Sequence, residues 1–216
     1  MKPKVIIFDM DGLLVHTEPF WVQSQIEILT KLGATISEQT CARTKGLRID
    51  EVVAEYYRET LWKEFSIQDV ATQIASRVGT LFQEKGKLLT GAQEAIDIAR
   101  SLHVPVVLAS SSPTSLIHTI LKHARLFDKF DEIFSAEQDS YGKPHPGIYI
   151  RVAQQRNAIP QQCIAIEDSF FGLLAAKSAR MPCIVVPERP SPKWVIADHM
   201  LTSLTQLTQE HLILPE

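Results

Sequence analysis

Asp9-Met10-Asp11-Gly12 places two carboxylates two residues apart, directly after the apolar run Val5-Ile6-Ile7-Phe8. Ionised carboxylates at the end of a buried strand are costly unless a cation, a hydrogen-bond network or a reaction compensates them. Glu167 and Asp168 stand in the same relation to a second apolar run, Cys163-Ile164-Ala165-Ile166. If both runs are strands of one parallel sheet, four acids converge at one edge. That set suits a hard divalent cation handling phosphate. Asp9 is then the candidate nucleophile, because a carboxylate can attack phosphorus and split hydrolysis into two easier steps. Asp11 is the candidate acid/base, protonating the leaving oxygen and later deprotonating the attacking water. Glu167 and Asp168 are candidate metal ligands. A Mg²⁺ ion bridging Asp9, Asp168 and a phosphate oxygen, with the Asp11 backbone carbonyl as a further ligand, would balance the charge.

Two more segments carry complementary groups. Lys143, in Gly142-Lys143-Pro144-His145-Pro146, offers positive charge to phosphate and to Asp9 from a loop that its prolines stiffen. Ser110, with the Ser111 amide beside it and a helix start at Pro113, can donate to phosphate oxygens.

These segments need elements to position them. Lys4–Asp9, Val104–Ala109, Phe130–Phe134, Cys163–Ile166 and Cys183–Val186 read as strands. Helical patterns separate the later ones: Ala92, Ala95, Ile96, Ala99 and Leu102; Leu116, Ile117, Ile120 and Leu121; 147–156; and 172–179. Alternating strands and helices imply a parallel sheet with helices on both faces, and such sheets bind ligands at the carboxyl ends of their strands. All four chemically loaded segments fall at such ends. Between the first strand and Leu88 only helical patterns occur. Glu18-Pro19 opens a helix that Gly33 closes, with Val22, Ile26, Leu29 and Leu32 as its apolar stripe. Ile49, Val52, Val53, Tyr56 and Tyr57 mark another, and Ile67, Val70, Ile74, Val78, Leu81 and Phe82 a third. The expected fold is α/β: a three-layer Rossmann-like parallel-sheet core of residues 1–14 and 88–216, with an all-helical cap of residues 15–87 inserted through linkers at Leu14–Thr17 and Lys85–Leu89.

Composition bounds the function. The chain has 216 residues and a formal charge of −3, which argues against nucleic acid or an anionic membrane as a partner. No apolar run approaches the roughly 18 residues of a membrane span, and the N-terminus has no secretory pattern. Cys41, Cys163 and Cys183 are scattered, with no CxxC pair, so neither structural zinc nor a disulfide framework is expected. The expected compartment is a reducing cytoplasm, and a monomer is the default.

Asp9-Met10-Asp11-Gly12, Ser110, Lys143-Pro144 and Glu167-Asp168 resemble, in order and spacing, the four motifs of the haloacid dehalogenase-like superfamily. The likeness spans nearly the whole chain, and the helical insertion after the first motif resembles that superfamily's small helical cap. Within the superfamily the chain is similar to sugar-phosphate phosphatases, notably 2-deoxyglucose-6-phosphate and hexitol phosphatases, and to beta-phosphoglucomutase. The resemblance implies Mg²⁺ dependence and an aspartyl-phosphate on Asp9, with Asp11 as acid/base. It also implies Ser110 and Lys143 on the phosphate, Asp9, Asp11 and Asp168 around the metal, and Glu167 in support. Asp11 argues against dehalogenation, whose branch lacks the second Asp. The expected substrate is a small phosphorylated metabolite, a hexose, deoxyhexose or polyol phosphate, with a phosphomutase as the alternative reading. Gly46-Leu47-Arg48 resembles the cap segment that faces the site, so Lys45 and Arg48 are candidates for substrate contacts. Glu18 and Trp21 also match relatives near the hinge, where Trp21 reads first as cap core. His16 stands where Asp or Asn is usual, and Thr90-Gly91 replaces Pro-Gly.

Overall fold

The computed structural model describes residues 1–214. Six strands, β1 (Val5–Phe8), β2 (Val106–Ser110), β3 (Glu132–Ser135), β4 (Cys163–Glu167), β5 (Cys183–Val185) and β6 (His199–Met200), form one sheet in the order β3-β2-β1-β4-β5-β6. Every pairing is parallel. Sequence periodicity finds five of these strands to within two residues; the two-residue edge strand β6 is too short to read. Both faces of the sheet are covered, which is why its strands read as unbroken apolar runs. Ile6, Phe8, Val106, Leu108, Ile164 and Ile166 pack with helices α5 (Ala92–Ser101) and α6 (Thr114–His123). Their alternates Val5, Ile7, Val107, Ala109, Cys163 and Ala165 pack with α7 (Gly147–Gln155) and α8 (Phe170–Ser178).

This strand order reverses direction between β1 and β4, and the crevice outside the carboxyl ends at such a switch point is where open α/β sheets bind ligands. Phe8 is in register with Ile166. The residues that follow them, Asp9 and Glu167, therefore emerge side by side at that crevice.

Four helices lie between β1 and α5: α1 (Glu18–Lys31), α2 (Glu38–Arg43), α3 (Ile49–Thr60) and α4 (Ile67–Lys85). The two strands of chain leading in and out run together, His16 N–H donating to Lys87 O at 3.0 Å and Leu89 N–H to Leu14 O at 2.9 Å. Leu29, Ile49, Val52, Val53, Trp62, Val70 and Ile74 form a core of their own. Further along α4, Ala75, Val78 and Phe82 join the core beneath the sheet instead, so this one helix spans both. The expected apolar stripe of α1 is not its buried face. Val22, Ile26 and Leu32 are only partly buried, while Ser24, Gln25 and Leu29 are buried. The cause is what α1 packs against: part of its inner face looks onto the acid site rather than onto apolar side chains.

Candidate active site

Asp9, Glu167 and Asp168 are buried and offer carboxylate oxygens that all lie within 4.8 Å of one another. Lys143 reaches under them. Its ammonium donates to Asp9 Oδ1 at 2.7 Å, Glu167 Oε1 at 2.6 Å and Ala109 O at 3.1 Å, and its side chain is 1% exposed. Burial alone would lower the lysine's pKa; Asp9 and Glu167 reverse this and hold it above its ordinary value. Tyr149 from α7 gives its hydroxyl to Glu167 Oε1. Burial and the charge of Glu167 keep that phenol protonated, so it remains a donor.

Burial pushes Asp9 well above the ordinary carboxylate range, against the pull of Lys143 and with the push of Glu167 and Asp168. Asp168 is raised to about 6, again by burial first, with Lys45 opposing and Glu167 adding. Its Oδ2 is ion-paired with Lys45 Nζ at 2.6 Å. Three buried carboxylates gathered within reach of one another, with only oxygen ligands on offer, fit a hard divalent cation.

Asp11 occupies a different place from the one its spacing suggests. Its carboxylate lies outside the three-acid cluster and is held by hydroxyl and indole donors. Thr17 Oγ1 at 2.7 Å and Trp21 Nε1 at 3.0 Å reach Oδ1, while Ser112 Oγ at 2.8 Å and Ser110 Oγ at 3.3 Å reach Oδ2. Only its backbone carbonyl stays available as a candidate ligand. Gly12 follows with φ +74°, and a Cβ there would sit 2.2 Å from Asp168 Oδ2; a side chain is excluded both by the left-handed backbone and by the acid behind it.

The helical segment closes over this crevice. Lys45, a candidate for substrate contact, stands here between the acids, with Asp168 at 2.6 Å and Glu18 at 3.8 Å. Burial raises the carboxyl of Glu18 to about 8, against the pull of Lys45. Ser111 Oγ donates to Gly46 O at 2.8 Å across the gap. Arg48, the other candidate for substrate contact, turns its guanidinium to protein groups: it is paired with Asp50 and donates to Ala136 O at 3.0 Å and Asp139 O at 2.7 Å. These partners lie on the stretch that leads to Lys143, and Glu51 Oε1 accepts from Gly142 N–H on the same stretch at 2.7 Å. The cavity between them has a volume of about 60 Å³, and its walls include Asp9, Asp11, Lys143 and Asp168 below and Glu18, Trp21, Gln25 and Lys45 above.

Spacing brought Asp9, Asp11, Ser110, Ser111, Lys143, Glu167 and Asp168 into view, and the family resemblance Lys45; all of them lie here. It missed Thr17, Ser112 and Tyr149. Trp21, read first as cap core, is a donor to Asp11.

A parallel α/β sheet with a buried acid cluster and a lysine at its switch point, roofed by helices, suits an α/β enzyme that handles phosphate. The family model described as haloacid dehalogenase-like hydrolase matches residues 6–186, and the chain belongs to that family. It is 40% identical to hexitol phosphatase B of Escherichia coli (strain K12) over 211 residues, 96% of this chain and 95% of that one. It is 30% identical to a phosphorylated carbohydrates phosphatase of Thermotoga maritima, covering 82% and 81%. The solved structure of beta-phosphoglucomutase from Clostridium difficile superposes with a TM-score of 0.85 at 26% identity, covering 97% of both chains.

Proposed function

We propose that the chain is a Mg²⁺-dependent phosphatase that hydrolyses small sugar or polyol phosphates through an aspartyl-phosphate on Asp9. The carrying observation is Asp9 held against buried Lys143, with Glu167 and Asp168 beside it in one three-acid cluster. Asp9, Asp168 and the Asp11 carbonyl would hold the ion, with Glu167 positioned by Lys143, Tyr149 and Ser169. A bound Mg²⁺ supplies positive charge against the phosphate oxygens and the buried carboxylates.

Lys143 anchors one oxygen of Asp9 and leaves the other to attack phosphorus. The P–O bond to the sugar breaks as the new one forms, and Asp11 gives its proton to the departing alkoxide. Asp11, now ionised, takes a proton from water, which attacks the phosphorus of the aspartyl-phosphate and returns Asp9 as a carboxylate. The longest contact to Asp11 is Ser110 at 3.3 Å, so Ser110 is the donor that turns to the phosphate. Thr17, Trp21 and Ser112 keep the Asp11 carboxylate oriented. The names of the relatives support a carbohydrate-type leaving group.

Phosphate release from a panel of hexose, deoxyhexose, pentose, polyol and glycerol phosphates tests this, with Mg²⁺ and with EDTA. Turnover should need the metal, and Asp9→Asn should fall to background. Full activity in that variant ends the reading.

A further inference from the structure

Gln25 is 6% exposed and lines the cavity, yet its Oε1 has no hydrogen-bond partner. Glu18, Trp21 and Gln25 fall at i, i+3 and i+7 on α1, so one helix face presents all three to the cavity. Their situations differ. Trp21 is committed to Asp11 and Glu18 lies beside Lys45. Gln25 has Val22, Leu47, Ile49 and Val52 among the other walls of the cavity, none of which carries a side-chain donor. A buried amide carbonyl without a donor is a standing loss of stability, and native structures retain few of them. A leucine at this position would complete the face that periodicity predicts for a helix packed on a core. The departure from that pattern sits at the cavity, where functional sites break local rules.

We propose that Gln25 is a specificity-determining residue that hydrogen-bonds the hydroxyls of the leaving group. This rests on the phosphatase reading and refines it towards a polyhydroxylated carbon chain. A carboxamide presents one acceptor and two donor hydrogens side by side, which complements a pair of neighbouring hydroxyls, each both donor and acceptor. Thr17 and Trp21 pin the start of α1 to Asp11. Gln25 lies one turn beyond Trp21, about 6 Å further along the axis at 1.5 Å per residue. It therefore reads hydroxyls remote from the ester oxygen that Asp11 protonates. A site that pairs a substrate hydroxyl discriminates strongly against analogues lacking it, because its own polar group is then left unpaired.

The test compares wild type with Gln25→Leu and Gln25→Met on a hexitol phosphate and on p-nitrophenyl phosphate, whose leaving group has no aliphatic hydroxyl. Melting temperatures are recorded alongside. Both variants should lose tenfold or more in kcat/KM on the hexitol phosphate, stay within about twofold on the aryl ester, and melt at or above the wild-type temperature. Equal losses on both substrates, no loss on either, or a lower melting temperature in both variants would assign Gln25 to packing and overturn the proposal. Wild type that is inert on every ester overturns the phosphatase reading itself, before Gln25 enters.

Discussion

Lys143 is the residue on which the electrostatics of the crevice turn. It is nearly inaccessible and its charge is shared between Asp9 and Glu167. Removing one partner of a buried ion network leaves the others uncompensated and typically costs about 3–5 kcal/mol. Lys143→Met should therefore destabilise the fold by about that much in urea titration and abolish phosphate release. Asp9→Asn should behave in the opposite way towards stability. Burial holds the Asp9 carboxyl above its ordinary range, so its ionisation opposes folding, and a neutral amide removes that opposition. Lost turnover with a melting temperature no lower than wild type is the expected pair of results; a strong loss of stability would show the carboxylate to be structural. The acids and Lys143 were legible because strand ends and prolines frame them. Thr17, Ser112 and Tyr149 were not, because a lone hydroxyl carries no pattern until the fold places it against a carboxylate. Tyr149 in particular sits where helix periodicity wants an apolar residue, and its hydroxyl shows its use only next to Glu167.

At the scale of elements, α8 shows how closely the scaffold is fitted to the acids. Ser169 caps it by accepting from Gly172 N–H at 3.0 Å and also donates to Glu167 Oε2 at 3.3 Å. A Cβ on Gly172 would lie 2.1 Å from the Glu167 carboxylate, itself fixed by Lys143. Gly172→Ala should thus destabilise by about 1–3 kcal/mol, the usual range for overpacking, although alanine is the better helix former. Gly79, in α4, is the control. A Cβ there meets the flexible end of Leu116 at 3.3 Å and the Thr119 methyl at 3.8 Å, and Gly79→Ala should be close to neutral in the same denaturation experiment. Strands β1–β5 were readable because they are apolar on both faces, and α5–α8 because each buries one apolar stripe. Helix α1 misled because its period marks Val22 and Ile26, whereas the face it buries holds Ser24 and Gln25. Helix α2 escaped notice because six residues are too few to show a period, although Ser37 and Thr40 form the reciprocal cap that announces it. The direction of Arg48 could not be read at all; a long side chain beside a crevice can turn either way, and the carbonyls of Ala136 and Asp139 decide it.

Across the whole molecule, the helical segment and the carboxyl edge of the sheet face each other over about 60 Å³ of free space, and what holds the two together also shapes the site. Mg²⁺ bound among the acids should stabilise the fold by about 2.7 kcal/mol at a hundredfold excess over Kd, a rise of roughly 5–10 °C in a domain this size. Calorimetry with Mg²⁺ and with EDTA reads this, and Asp168→Asn should erase the difference. The helical segment is tied to the Lys143 loop by Arg48 and Glu51, which grip residues 136–142 from α3 and its N-terminal edge. The Gly142 N–H is the most direct reporter, because its acceptor is a carboxylate across the cleft. Hydrogen bonds to charged groups contribute about 1.5–3 kcal/mol, so Glu51→Ala should speed amide exchange at Gly142 by roughly tenfold or more. With the loop released, Lys143 spends less time on Asp9 and kcat should fall. Global melting should move little, since the Glu51 side chain is one-third exposed. Exchange at Gly142 that stays at the wild-type rate would mean that the helices rest on this loop without holding it, and that the lysine is placed by the sheet alone.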